Sequence, residues 1–260
     1  MPEFLQTSIT KRIANVTLRR PELRNAFNET LIAEITAAFT ELGADDEVRV
    51  IVLSGEGSAF CAGADVHWMK RVVDYSIEEN IEDAATLADM LAAIRDCPKP
   101  VIARIHGPAI GGGVGLVAAC DIAIAVHDAI FCLSEVKLGI LPAVISPFVI
   151  NKIGPSTMRR YALTAERFDG LEAKRIGLVN EAVETVEDMD AGIKNLCKLL
   201  KQTGPKAVAE CKKLLHDVRC AGWDEARTIT TKSIARARVS DEGQEGLKAF
   251  LEKRPPNWIK

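Results

Sequence analysis

Hydrophobic positions fall into two regimes along the chain. Up to about residue 195, short continuous apolar runs alternate with amphipathic stretches. Ile13–Leu18 reads as a strand with Val16 and Leu18 on one face. Val48–Ser54, Val101–Ile105, Ile122–Val126 and Ile130–Leu133 are continuous apolar runs apart from Arg49, Ser54 and Arg104, as strands buried on both faces of a parallel sheet are. Asn28 opens an apolar-periodic helix that runs to about Leu42 and ends at Gly43. Glu79–Ile94 sets Ile81, Ala84, Ala85, Ala88, Leu91 and Ile94 on or near one helical face. Residues 66–80 read as a connector with one or two helical turns. Val144–Ile153, Ser156–Ala165 and Leu171–Arg175 read as helices. From Val186 onward the pattern is helical, over about 187–202, 205–219, 223–239 and 241–253, with Pro205 in a first turn. The pattern predicts an α/β region over 1–195, helices covering sheet faces, and a helical region over 196–260. It shows no internal repeat.

Ala103 to Asp121 is the centre of this pattern: a buried strand, a glycine turn and a short apolar helix. Gly111, Gly112 and Gly113 remove side chains from consecutive positions. The first N–H groups of a helix starting there are unpaired and favour negative charge. An oxyanion or phosphate site at Gly112 is one reading; a close helix–strand contact that only glycine permits is the other, and the glycines alone leave both open.

Composition narrows the function classes. Of 260 residues, 48% are hydrophobic and 27% charged, as in a globular protein, and the net charge of -3 gives no field for wrapping nucleic acid. Aromatics are only 5%, so the core rests on Ala, Val, Ile and Leu. The 7 cysteines are scattered and form no Cys-x-x-Cys pair, which predicts a reducing, cytoplasmic setting and no metal. The sequence predicts neither a signal peptide nor a membrane span.

Few residues offer chemistry. Gly63-Ala64-Asp65 is a second small-residue loop after a predicted buried strand. Convergence of the Ala64 and Gly112 amides on one oxygen would stabilise an enolate; the alternative is two ordinary tight turns. Glu135 lies in an otherwise apolar run, either as an acid–base group with a pKa raised by burial or in an ion pair with Lys137 or an arginine. His106 beside the glycine turn is a candidate base, or a histidine bonded to a backbone carbonyl. Asp121 reads as a structural cap.

The chain resembles the crotonase family of enoyl-CoA hydratases and isomerases. Arg20-Pro21 through Arg24-Asn-Ala-Phe27, Phe60 to Asp65, His106 to Gly113 running to Asp121, Ser134 to Gly139 with Pro142, and Glu245 to Arg254 carry the resemblance, in order over essentially the whole chain. It implies a crotonase-like spiral of ββα units with a helical C-terminal region, assembled as a homotrimer or homohexamer. It implies an acyl-CoA thioester substrate, with no separate cofactor because coenzyme A is part of that substrate. On the family pattern Ala64 and Gly112 form the oxyanion hole and Glu135 is the acid–base residue. Arg24, Ala62 and Asp65 lie where relatives hold coenzyme A, and Phe250 and Lys253 lie where relatives contact the coenzyme A of a neighbouring subunit.

Two departures bear on the reaction. Typical hydratases carry a further glutamate where this chain has Gly115, and Pro142-Ala-Val-Ile-Ser-Pro147 replaces a glycine-rich run. The second is similar to the methylglutaconyl-CoA hydratase-like subgroup and points to a hydratase for a short or branched 2-enoyl-CoA. The first points to a Δ3-Δ2 enoyl-CoA isomerase using one glutamate. A non-catalytic CoA- or RNA-binding relative is the third reading, disfavoured for RNA by the charge and the lack of interleaved aromatic and basic residues.

Overall fold

The structure, a computed structural model, describes residues 2–259. Its main sheet has six strands in the order β1-β2-β3-β4-β6-β8: β1 Leu5–Thr10, β2 Ile13–Leu18, β3 Val50–Gly55, β4 Val101–Ile105, β6 Ile122–Val126 and β8 Glu181–Val183. Only β1 and β2 pair antiparallel; the remaining pairs are parallel. The continuous apolar runs are the central strands, as patterning requires: Val50 to Leu53 is buried at every position.

A second, much shorter ladder runs beside this sheet. Phe27 bridges Ala64, Cys61 bridges Ala109, and β5 (Ala109–Ile110) pairs with β7 (Phe131–Cys132). Each turn of chain thus contributes one strand to the main sheet, one short segment to the ladder, and then a helix. β2, Phe27 and α1 (Glu29–Ala44) make one unit, and β3, Cys61–Ala64 and α2 (Val66–Val72) with α3 (Ile77–Asp96) the next. β4, β5 and α4 (Gly112–Ala119) follow, and then β6, β7 and α5 (Ser146–Thr164). This is a spiral of ββα units, the expected fold class.

Local signals account for the helix starts. Asn28 caps α1 by accepting from the Leu31 N–H at 2.9 Å. Ser76 and Glu79 form a capping box at α3. Within α5, Gly154 leaves helical geometry just before Pro155, so the two helices expected there share one kinked element. α6 (Gly170–Arg175) precedes β8.

The expected boundary at residue 195 falls inside α7 (Val186–Gln202). α7 packs on β3, β4, β6 and β8 and buries Met189, Ile193 and Cys197, so it belongs to the core. The helices that stand apart begin after it: α8 (Pro205–Cys220), α9 (Trp223–Val239) and α10 (Asp241–Leu251). Neither α8 nor α9 buries a residue, and α10 buries only Ala249. Polar bonds hold this arm to the core: Lys212 Nζ donates to Asp121 Oδ2 at 2.7 Å and to the Lys99 carbonyl at 3.3 Å. Among the described residues no helix is long and apolar enough to cross a membrane.

Candidate active site

The site begins with the short ladder. Cys61 N–H donates to the Pro108 carbonyl at 3.1 Å, and Ile110 N–H to the Cys61 carbonyl at 2.9 Å. This register sets Cys61 beside Ala109, and three residues further along each segment stand Ala64 and Gly112. The two loops remain in contact there, since a Cβ built on Gly63 would lie 3.7 Å from the Gly112 nitrogen. Neither the Ala64 nor the Gly112 N–H bonds to another group among the described residues.

Glycine is required at this junction for two reasons. Gly111 has φ +53°, a left-handed conformation, where it ends β5 and starts α4. Gly113 lies so close to the ladder that a Cβ there would stand 2.3 Å from the Cys61 carbonyl oxygen. The close packing expected of the glycine run is present at Gly113, and the helix-start N–H of Gly112 is unpaired among the described residues.

Glu135 starts a single 3-10 turn, Glu135–Leu138, directly after β7. β7 is paired to β5, so the ladder brings Glu135 alongside Gly111: a Cβ built on Gly111 would stand 3.2 Å from Glu135 Oε1. Glu135 Oε2 is buried without a hydrogen-bond partner among the described residues, and no ion pair to Lys137 or an arginine forms there. Burial raises the Glu135 pKa above the ordinary 4.5, opposed only by a bond to its own backbone.

Position 115 is filled. A Cβ on Gly115 would lie 2.4 Å from Ile145 Cγ2 and 3.5 Å from Leu91 Cδ1, both buried apolar side chains. Of the apolar residues near it in sequence, Val114 is buried, Val144 half-buried and Ile140 exposed. His106 Nε2 meets the Gly57 carbonyl at 2.8 Å, the backbone-bonded role. Asp121 is structural, accepting from the Val101 N–H and Lys212 Nζ.

The residues expected at coenzyme A divide three ways. Arg24 and Ala62 adjoin the site: the Ala62 N–H donates to the Arg24 carbonyl at 2.9 Å, and the Arg24 side chain is exposed. Asp65 is 4% exposed and committed elsewhere; Oδ2 accepts from Arg20 Nη2 at 2.7 Å and Oδ1 from the His67 N–H at 2.7 Å. Burial alone would raise its pKa, but the Arg20 bond and the backbone amides outweigh this and hold it below the usual carboxylate range. Phe250 lies in the last turn of α10 and Lys253 two residues past its end; α10 contacts α8 and α9, and among the described residues neither Phe250 nor Lys253 bonds to Glu135.

Sequence reasoning missed the buried residues that build the loops. Arg20 spans from Asp65 to the Ala26 carbonyl, which its Nη1 meets at 2.6 Å. Asn25 is fully buried and its Nδ2 donates to the Glu56 and Ala59 carbonyls, both at 2.9 Å. Both stand in the Arg20 to Phe27 stretch, which entered the sequence analysis only as part of the resemblance. A cleft of about 220 Å³ between α8 and α9, lined by Glu210, Asp217, Lys213, Lys232 and Arg236, lies away from this site, and its mixed charge selects no single ligand chemistry.

Comparison with known proteins gives consistent findings. The profile of a family described as enoyl-CoA hydratase/isomerase matches residues 8–260. An enoyl-CoA hydratase of Alternaria alternata is 36% identical over 248 residues, 95% of this chain and 80% of its own length. A peroxisomal Delta(3,5)-Delta(2,4)-dienoyl-CoA isomerase of Arabidopsis thaliana is 30% identical, covering 99% of this chain and 96% of its own. The crystal structure of an enoyl-CoA hydratase from Shewanella pealeana superposes with a TM-score of 0.95 at 38% identity, over 99% of this chain and 96% of that one.

Proposed function

The chain belongs to the enoyl-CoA hydratase/isomerase family, and we propose that within it this enzyme hydrates a short or branched 2-enoyl-CoA through a thioester enolate. The observation that carries the reading is the Glu135 carboxylate, whose Oε2 is buried without a partner among the described residues and whose Oε1 lies beside Gly111, the residue that precedes the Gly112 amide. The thioester oxygen accepts from the Ala64 and Gly112 N–H groups, which stabilise the negative charge it gains. Glu135 takes a proton from water as its oxygen bonds to C3, then returns that proton to C2. The sum is H and OH across the double bond, with the carboxylate restored.

The packing of Gly115 favours a second reading. With Ile145 and Leu91 where a second carboxylate would stand, one glutamate serves alone, as a 1,3 proton shift in a 3-enoyl-CoA requires. The assembly that completes the coenzyme A site is a homotrimer or homohexamer, supported by the unburied arm, on which Trp223 is 88% and Phe250 81% exposed.

The test follows the enoyl-thioester absorbance with crotonyl-CoA, 3-methylglutaconyl-CoA and a 3-enoyl-CoA in ¹⁸O-labelled water. Loss of absorbance with label in the product is expected. Turnover of the 3-enoyl-CoA alone, without label, replaces hydration with isomerisation. Glu135→Gln should abolish either activity while acyl-CoA affinity stays nearly unchanged.

A further inference from the structure

Phe27 touches both amide loops. Its N–H donates to the Gly63 carbonyl at 2.7 Å and its carbonyl accepts from the Asp65 N–H at 2.8 Å, so its backbone brackets Ala64 on both sides. Its ring lies on the other loop: a Cβ on Gly112 would stand 2.7 Å from Phe27 Cε2 and 3.1 Å from Cδ2. The ring is 1% exposed and has no freedom to withdraw.

The backbone on either side of this bridge is fixed by one guanidinium. Arg20 Nη1 holds the Ala26 carbonyl at 2.6 Å and Nη2 holds Asp65 Oδ2 at 2.7 Å, one anchor before Phe27 and one after Ala64. The pair is nearly dry, with side chains 7% and 4% exposed. Arg20 also stacks over the Phe4 ring, 4.5 Å from its centroid. Asp65 caps α2, so the turn that carries Ala64 is fixed to the helix as well. A buried ion pair costs desolvation and is weak evidence for stability alone, whereas one guanidinium bonded to two separate groups fixes their geometry.

We propose that Phe27, locked by the Arg20–Asp65 pair, is the positioning residue that sets the separation of the Ala64 and Gly112 amides. The ring edge against Gly112 holds one loop at a fixed distance while the backbone of the same residue holds the other. Asp65 acts on the reaction through Ala64 and does not touch coenzyme A. This inference rests on the reading of those two amides as the oxyanion hole.

The experiment compares wild type, Phe27→Leu and Asp65→Asn, reading kcat, KM and the infrared C=O stretch of a bound acyl-CoA labelled with ¹³C at the thioester carbon. Phe27→Leu keeps the backbone bridge and removes the ring edge. Asp65→Asn keeps the helix cap and removes the charge. Both should lower kcat about tenfold or more with KM nearly unchanged, and both should lose part of the downward C=O shift that wild type shows on binding. Ile35→Val, a core truncation on α1 away from the ladder, should lower Tm without moving the C=O frequency. The double variant Arg20→Gln with Asp65→Asn leaves no lone buried charge and reads the same effect if Asp65→Asn alone folds poorly. A wild-type carbonyl that does not shift on binding overturns the oxyanion-hole reading and this one with it. A shifted wild-type carbonyl whose frequency and kcat survive in Phe27→Leu overturns this inference alone.

Discussion

The ladder and the C-terminal arm solve opposite problems. Along the ladder, side chains are deleted so that backbone can meet backbone: at Gly113 no Cβ fits, and at Gly112 the amide stays unpaired. Along α8 and α9, large apolar side chains are left uncovered: Leu215 is 68%, Val239 77% and Trp223 88% exposed. A free amide and a free apolar face are both unfinished contacts. On the proposed function the first is finished by an oxygen of a small molecule, because two N–H groups define a point. The second is finished by an extended surface, because apolar burial is non-directional and scales with area.

The largest effect should come from removing the hydrogen at Gly112. Proline fits a helix start, yet any Cβ there meets the Phe27 ring. Gly112→Pro must therefore be read against Gly112→Ala, which adds the same carbon but keeps the N–H. Proline should cost about a hundredfold more in kcat than alanine. Equal losses would assign the effect to crowding and would remove the amide from the mechanism.

The arm should answer in mass rather than rate. Light scattering on wild type should give three or six times the 28.2 kDa subunit, and Trp223→Glu with Phe250→Glu should move it toward a single subunit. A monomeric wild type would break the comparison at its second half. Glycine replacements then contrast the two regions directly. Gly113→Ala drives a carbon into the Cys61 carbonyl and should cost about 1–3 kcal/mol of stability. Gly222→Ser, at the start of α9 with nothing within 4 Å of its Cβ, should cost nothing and improve the cap.

These contrasts also explain how legible each region was. The central strands were readable as continuous apolar runs and most helices by their period, and Asn28 and Pro205 marked helix starts by their own chemistry. β1 was not, since Leu5 is its only buried residue and Gln6 to Thr10 show no alternation. The ββα repeat was invisible because its second strand is a bridge or a pair of residues, too short to carry a period. Ile81 was placed on the apolar face of α3 yet is 64% exposed, because burial is confined to Met90, Leu91 and Ile94 at the other end. Glu135 stood out as a charge in an apolar run. Arg20 and Asn25 did not, since their partners are backbone carbonyls and a carboxylate far along the chain. The resemblance assigned Asp65 to coenzyme A, whereas its environment is a buried ion pair.

The pH profile sharpens the site itself. Glu135 must be ionised to accept a proton, and burial raises its pKa, so kcat/KM should fall on the acid side at a pH above 4.5. The sign is opposite for Asp65, whose pKa is lowered; its contribution to stability is full above its ordinary 3.8 and is lost only as pH falls further. The two limbs are therefore separated, with activity failing before the fold. A profile flat down to 4.5 would remove Glu135 as the base.

The smallest effect is a count of thiols, and it reads both regions in one measurement. Cys61, Cys97, Cys120, Cys132 and Cys197 are buried in the core, and burial pushes Cys61 and Cys120 up to about 12, which leaves almost no thiolate at neutral pH. Cys211 and Cys220 are exposed, and both lie on α8. A thiol reagent should therefore modify only these two quickly in the native subunit, and the other five only on unfolding. Cys61 is the informative exception, because its carbonyl lies against Gly113 and its residue opens the loop to Ala64. Rapid modification of Cys61 would mean that the ladder opens on its own, and two amides on a ladder that opens do not hold a fixed separation. Slow modification of Cys211 or Cys220 in the assembled protein, restored by Trp223→Glu with Phe250→Glu, would instead locate α8 within the covered face.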